Sequence, residues 1–160
     1  MSDHVVIRKL EHLAGNERAP ALRYAIETRA TAGPAFKNGA FAGDIMWIRL
    51  HGGLLIGKAS IKIAWVGEYS SLQELQARTQ GSAIQTDASF WAGRPKFGYA
   101  VVAELQNERW LEPKWQGPRT NGYEWVVMDS DKKTKSWFAD KPPPRGGEDL
   151  LQQFLQWRSR

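Results

Sequence analysis

Runs of β-branched and aromatic residues dominate the middle of the chain. Four such runs lie between residues 43 and 128, each bounded by glycine or charged turns: GDIMWIRL, LLIGKASIKIAWV, FGYAVVAEL and GYEWVVM. From Ser60 to Trp65, apolar side chains at odd positions alternate with small or polar ones, which gives the strand one apolar face. The pattern predicts four strands of one sheet, with Trp65 and Trp125 in the core.

The segments around these runs predict shorter elements and their turns. HVVIRKL predicts a first strand, and Pro20–Thr28 predicts a helix because proline suits the first helical turn. His51, Gly52 and Gly53 predict a tight hairpin, since glycine accepts the positive φ that such a turn needs. Gly57, inside the second run, predicts a bulge or a bend.

Helix-capping residues predict two short helices and a closing helix. Ser71 and Glu74 have capping-box spacing, and Thr86 or Asp87 precedes ASFW as a second cap. Residues 139–149 form a Pro- and Gly-rich connector, and residues 148–158 have the apolar spacing of a helix. We therefore expect one α+β, mostly β domain over residues 1–160: a small β-barrel or curled mixed sheet with short flanking helices.

Length and composition narrow the class of protein. A chain of 160 residues suits one core, and no apolar run approaches the roughly 20 residues that span a bilayer. The first residues lack the apolar stretch of a signal peptide, so we expect a cytoplasmic protein without membrane contact. Cysteine is absent, which excludes thiolate chemistry, and the three histidines are scattered without the spacing of a metal pair. We therefore expect no metal and no cofactor.

Charge and tryptophan content point toward a polyanionic partner. The chain has 22 basic and 17 acidic residues, a net charge of +5, which favours attraction to nucleic acid. It also has eight tryptophans, whose flat rings stack on bases but also mark protein interfaces. Nucleic-acid binding and protein interaction both remain open on this basis.

Two segments resemble the PUA-like β-barrel superfamily, which includes the ASCH, EVE and YTH domains. AFAGDIMWIRLHGGLLIGKASI is similar to its opening, where a Gly-Asp turn leads into a strand, a hairpin and a second strand. FWAGRPKFGYAVVAELQNERWLEP looks like a later segment of ASCH and EVE domains, and the two span about residues 40 to 113. The resemblance implies nucleic-acid binding, often with one modified or extruded base held in an aromatic pocket.

The chain supplies candidates for each part of such a pocket. An extruded base needs a stacking plane, and phosphates need cations. The candidate stacking residues are Trp91, Trp115, Tyr123 and Phe36. The candidate phosphate ligands are Arg94, Lys96, Lys114 and Arg119. For each ring, packing in the core or at the barrel rim is the alternative, and for each cation, a solvated turn.

The resemblance also implies an enzymatic alternative. Some ASCH proteins resemble amidohydrolases that act on acylated cytidine with a lysine, a threonine and a glutamate. YAIETR supplies Glu27 and Thr28 but has Tyr24 where the pattern wants lysine, so Lys37 or Lys58 would have to substitute. This departure leaves catalysis uncertain, and we expect a binding protein more than an enzyme.

Overall fold

The computed structural model describes residues 2–13, 22–31, 39–82, 84–116, 124–128 and 142–159. A 3-10 turn at Leu10–His12 follows the first strand. The elements in chain order are β1 (Asp3–Arg8), β2 (Tyr24–Arg29), β3 (Ile45–Leu50), β4 (Leu54–Tyr69), α1 (Leu72–Arg78), α2 (Ala88–Trp91), β5 (Gly98–Trp115), β6 (Trp125–Met128) and α3 (Gly147–Arg158). The predicted α+β, mostly β class is confirmed.

The six strands form one curled mixed sheet in the order β2-β5-β4-β3-β1-β6. β1 runs parallel to β3, and every other neighbouring pair is antiparallel. β4 and β5 are long enough to pair along most of their length, with register shifts beside Ile56, Ala59 and Lys62. The first shift adjoins Gly57 and agrees with the predicted bulge.

Of three apolar clusters among the described residues, the two with the most members lie on opposite faces of the sheet. The larger one joins β1, β3, β4 and β5 to Phe154 of α3, and the smaller joins Ile26 and Val102 to Leu75 of α1. Trp65 is half-buried beside the smaller cluster, and the Arg78 guanidinium covers its ring at 3.8 Å. Burial of this apolar area is the main stabilising term of the sheet.

A buried hydrogen-bond chain joins β6 and β1 to the residue before β3. Trp125 is fully buried, as predicted for the core, and its indole N–H donates to His4 Nδ1 at 2.9 Å. His4 Nε2 in turn contacts Asp44 Oδ2 at 2.8 Å, just before β3. Burial raises the pKa of Asp44, but hydrogen bonds from His4 and from the backbone of Phe41 and Ser2 outweigh it and lower the pKa overall.

The helix predicted over Pro20–Thr28 is wrong in its described part. Tyr24–Arg29 is strand β2, which pairs antiparallel with Tyr99–Glu104 of β5. Ala25 packs in the larger cluster and Ile26 in the smaller one, so both faces of the segment are covered. Pairing with β5 and burial on two faces override the local preference that proline suggested.

The predicted caps and turns are largely confirmed. Ser71 Oγ accepts from Glu74 N at 3.3 Å, and Asp87, rather than Thr86, accepts from Ser89 N and Phe90 N. Gly52 and Gly53 have φ values of +110° and +106° in the β3–β4 hairpin. α3 begins one residue before its predicted start, and residues 139–141 of the connector lie outside the described ranges. No helix in the described part is long and apolar enough to cross a membrane.

Glu108 of β5 binds the backbone just before β2, and its burial predicts that the stability of the protein depends on pH. Its Oε1 accepts from the backbone N–H of Leu22 at 3.0 Å and of Arg23 at 3.2 Å. Burial raises the pKa of Glu108 from 4.5 to about 7, and these hydrogen bonds offset the shift only in part. Because the folded-state pKa lies above the unfolded-state value, this residue's contribution to stability is complete below pH 4.5 and is lost as the pH rises to about 7.

The wild-type free energy of unfolding is therefore expected to fall between pH 4.5 and about 7, as Glu108 loses its proton. Glu108→Gln cannot lose that proton and is expected to lack this fall. Urea denaturation at several pH values, compared with wild type, measures the difference. The matched control is Glu112→Gln, which changes an exposed carboxylate on the same strand. An identical pH dependence for wild type and Glu108→Gln would show that Glu108 titrates as an ordinary surface carboxylate.

Candidate functional site

A polar cleft of about 560 Å³ lies at the open side of the curled sheet. β2 and β6 are the two outer strands, and the cleft walls come from β2, the end of β1 and Glu124, which directly precedes β6. The segment from Ser89 to Pro95, around the end of α2, supplies much of the remaining wall. The cleft thus lies where the two ends of the sheet approach each other.

Arg94 bridges these two ends. Its Nη1 donates to Thr28 Oγ1 of β2 at 3.1 Å and to Glu124 Oε2 at 2.9 Å, while Nη2 donates to Glu124 Oε1 at 3.0 Å. Its Nε donates to Phe90 O at 2.7 Å, and the guanidinium lies 4.0 Å from the Phe90 ring centroid. This two-point contact with a carboxylate is the geometry that arginine favours.

Glu124 stays ionised because cations surround it. Burial raises the pKa of Glu124, but Arg8 and Arg94 lower it by more, so the net shift is downward. The carboxylate is 39% exposed, so water weakens the attraction between the paired charges. The ion pair closes the sheet with side chains rather than with a ladder of backbone hydrogen bonds.

Arg8 and Glu27 bring buried charge to the cleft. Only 2% of Arg8 and 1% of Glu27 is exposed. Arg8 donates to Ile7 O at 2.9 Å and to Ile26 O at 2.6 Å, and burial lowers its pKa to about 10. Glu27 Oε1 accepts from Arg29 Nε at 2.7 Å, but burial is the stronger effect and raises the pKa of Glu27.

Each of these two side chains keeps one polar atom without a partner. Arg8 Nε and Glu27 Oε2 are buried and make no hydrogen bond with any residue that the structure describes. Such atoms are rare because a buried polar group without a partner costs about 1–3 kcal/mol. Both residues line the cleft, so a polar ligand is the kind of occupant that can supply the missing partners.

His12 and Ser89 form a second polar contact at the cleft wall. His12 Nε2 lies 2.9 Å from Ser89 Oγ, whose own proton goes to Asp87 Oδ1 at 2.8 Å. Burial lowers the pKa of His12, which favours the neutral ring. Because the hydroxyl proton is directed at Asp87 rather than at His12, this geometry orients groups at the wall and does not prepare serine as a nucleophile.

The described residues contain no group of three or more His, Asp and Glu side chains placed to hold a metal ion. The groups that face the cleft are instead cations, carboxyls and hydroxyls, which suit hydrogen bonding to an organic or phosphorylated ligand.

The structure brings three of the sequence-predicted residues together in the cleft. Glu27 and Thr28 come from β2, and Arg94 from the loop after α2. Lys96, two residues beyond Arg94, is exposed. Two catalytic candidates and one phosphate candidate, which were proposed for separate functions, therefore share one site.

The stacking role predicted for Trp91 does not fit its position. Trp91 is 5% exposed, its indole N–H donates to Ile84 O at 2.7 Å, and its ring meets Phe90 edge-on. Asp87 caps α2, and that short helix turns the ring into the smaller core cluster. Phe90, rather than Trp91, lines the cleft wall.

Trp115 and Lys114 also lie away from the cleft. The third strand run of the sequence ends at Leu105, but β5 continues to Trp115 and pairs it with Leu54. The Trp115 ring packs against Gly147 at the start of α3, where a Cβ would come within 3.0 Å of it. Lys114 is exposed on the same strand, and Lys58 lies over the Trp47 ring at 4.7 Å.

The remaining candidates fall on residues that the structure does not describe: Phe36, Lys37, Arg119 and Tyr123. Conversely, sequence reasoning missed Arg8, Lys9 and Glu124 as cleft residues. Arg8 had a detectable signal, because it shares the buried face of β1 with His4 and Val6. A charged residue at a core position of a strand indicates a partner or a site.

Comparisons with protein-family models, with curated proteins and with solved structures find no match to this chain.

Proposed function

We propose that this protein binds nucleic acid and receives one base, modified or extruded from its stack, in the cleft between β2 and Glu124. The observation that carries the proposal is the unpaired pair of buried atoms, Arg8 Nε and Glu27 Oε2. The edge of every base presents N–H donors beside lone-pair acceptors. Glu27 Oε2 suits such a donor, and Arg8 Nε suits such an acceptor.

Size and charge support a nucleotide as the occupant. A cleft of about 560 Å³ lies within the usual range for small-ligand sites, roughly 300–1,000 Å³. Among the described lining residues, Arg8, Lys9, Arg29 and Arg94 stand against two carboxyls, so this part of the wall is cationic. Exposed Lys9 and Lys96 are available for flanking phosphates. The Arg94 guanidinium, 4.0 Å from the Phe90 ring centroid, is itself a planar group on which a base can stack.

One observation keeps an amidohydrolase acting on acylated cytidine as the second candidate. Glu27, whose pKa burial raises, stands beside Thr28 in the same cleft, as a general acid or base beside a hydroxyl would. Lys9 is the lysine that the described cleft wall supplies. Release of cytidine from an acylated substrate, abolished in Thr28→Ala with the fold intact, would favour this candidate.

Binding is best measured by fluorescence anisotropy of labelled single- and double-stranded DNA and RNA, with and without modified bases. We expect affinity to fall steeply between about 50 and 200 mM salt, because phosphate contacts release counterions. A protein-interaction module would show no such binding. Absence of binding to every oligonucleotide at the lower salt concentration would contradict the proposed function.

Glu27→Gln tests the base contact itself. In this variant the amide oxygen takes the place of Oε1 and still accepts from Arg29, while the amide nitrogen takes the place of Oε2. An N–H donor then lies where the proposed base contact needs an acceptor. We expect binding to weaken about tenfold, since a hydrogen bond to a charged group contributes about 1.5–3 kcal/mol, and the preference among bases to shrink. The matched control is Glu148→Gln, an exposed change on α3. Equal affinity of both variants would place the base elsewhere.

A further inference from the structure

An exposed cation and an exposed ring directly follow the cleft wall. Pro95 is the last residue of the wall segment around the end of α2, and Lys96 and Phe97 come next in the chain. Both are exposed, and Phe97, at 73%, is the most exposed large hydrophobic side chain that the structure describes. Two residues span at most about 7 Å of backbone, so Phe97 starts beside the mouth of the cleft.

The other chain neighbour of Phe97, Gly98, lies against a second part of the wall. A Cβ at Gly98 would collide with the carbonyl oxygen of Arg29, the last residue of β2. Arg29 and Ala30 both line the cleft. Phe97 is therefore placed between two parts of the cleft wall, with Pro95 on one side and the end of β2 on the other.

The backbone on both sides of Lys96 and Phe97 is held by one residue of β4. Tyr69 Oη donates to Pro95 O at 2.5 Å, and the backbone of Tyr69 pairs with Gly98. The first and last residues of the segment from Pro95 to Gly98 are thus fixed to the end of the same strand. A segment that is already held in position loses less conformational freedom on binding a ligand, so this one is preorganised.

Charge and shape favour a nucleotide over a protein segment as the occupant. Phe97 is the one exposed large hydrophobic side chain among residues 92–101, whereas a protein-docking patch needs several that adjoin. Lys96 forms no ion pair with any residue that the structure describes, so its charge is available to an anion. A flat ring beside an available cation matches a base beside its phosphate.

We propose that Lys96 and Phe97 form a rim subsite for the nucleotide next to the one that the cleft receives. The flanking base stacks on the Phe97 ring, and the phosphate between the two nucleotides lies against Lys96. This inference rests on the proposed function, because the cleft has to hold the first base. Every base has a flat face, so stacking of this kind adds affinity with little sequence preference.

Abasic scanning of a single-stranded oligonucleotide tests the rim subsite. The probes are the labelled single-stranded DNA and the labelled single-stranded RNA that bind most tightly in the anisotropy titrations, with each base removed in turn. We expect two adjacent positions at which removal of the base weakens binding to the wild type, one for the cleft and one for the Phe97 ring. Removal at the second position is expected to raise the dissociation constant about tenfold, since base–aromatic stacking makes a contribution of this size.

Phe97→Ala isolates the ring. We expect this variant to bind the intact oligonucleotide about tenfold more weakly and to show only the cleft position in the scan. Its thermal unfolding stays near wild type, because the side chain is exposed. Phe41→Ala is the matched control, since Phe41 is 64% exposed and does not line the cleft, and it is expected to keep both positions. Phe97→Trp keeps a flat ring and is expected to keep both positions as well.

Lys96→Ala tests the phosphate contact. Loss of one contact to a single strand reduces the magnitude of the slope of log affinity against log salt concentration by about 0.7. The rim subsite is overturned by an unchanged slope, by a single sensitive position in the wild type, or by two positions that persist in Phe97→Ala. Each of these results leaves binding in the cleft standing. If the wild type binds no oligonucleotide at all, the proposed function fails and the rim subsite fails with it.

Discussion

Trp125→Ala is expected to lower the free energy of unfolding by about 4 kcal/mol, the largest effect of any single change proposed for this protein. Trp125 is fully buried in the larger cluster, so its removal leaves a cavity among packed apolar side chains. It also leaves His4 Nδ1 without its donor at a buried position. Urea denaturation monitored by circular dichroism measures the loss.

Trp125→Phe separates packing from hydrogen bonding. Phenylalanine keeps an aromatic ring but has no N–H, so it removes the contact to His4 and only part of the volume. We expect a loss of about 1–2 kcal/mol. If Trp125→Ala lowered the free energy of unfolding no more than Trp125→Phe, the neighbouring side chains would have relaxed into the space left by the ring. The hydrogen bonds from Trp125 through His4 to Asp44 would then contribute more to stability than the packing of the ring.

Arg94→Ala is expected to weaken oligonucleotide binding about 100-fold on the proposed binding mode. The variant loses the plane over Phe90 and one cation at the cleft, and base stacking alone contributes about 1–3 kcal/mol. It also releases Thr28 and Glu124 from each other. Because Glu124 is 39% exposed and can be hydrated, we expect only about 1–2 kcal/mol of lost stability.

Two further variants show which property of Arg94 matters. Arg94→Lys keeps the charge but cannot hold Glu124 at two points or place a planar group beside Phe90, so binding stays impaired. Arg78→Ala is the matched control. Arg78 lies on α1, where it covers the ring of Trp65 from β4, and it is not among the residues that line the cleft. Anisotropy titrations in which Arg94→Ala and Arg78→Ala behave alike would remove the cleft from the binding mode.

The central strands could be predicted from the sequence because their signals are local. Alternation in β4, the glycines of the hairpin at Gly52 and Gly53, and the caps at Ser71 and Asp87 each fix a conformation within a few residues. β2 could not be predicted in this way. Its strand conformation depends on pairing with β5 some 75 residues later and on burial of Ala25 and Ile26 on opposite faces.

The cleft was only partly predictable for the same reason. Glu27 and Thr28 were chosen together from YAIETR and Arg94 separately, and only the curl of the sheet brings β2 to the loop after α2. For Trp91 the sequence left stacking and core packing both open, because exposure of a ring depends on the direction in which a four-residue helix turns it. Glu124 carries no local pattern, and its role follows entirely from its contact with Arg94.

The position of β1 between β3 and β6 imposes an order on folding. β3, β4 and β5 are antiparallel neighbours in chain order and can form as hairpins from nearby residues. β1 has to wait for β6, whose residues lie more than 115 positions later, before its second side is paired. During synthesis, the β6 side of β1 therefore stays unpaired until the last strand of the sheet has left the ribosome, and we expect this stage to be the one most exposed to aggregation.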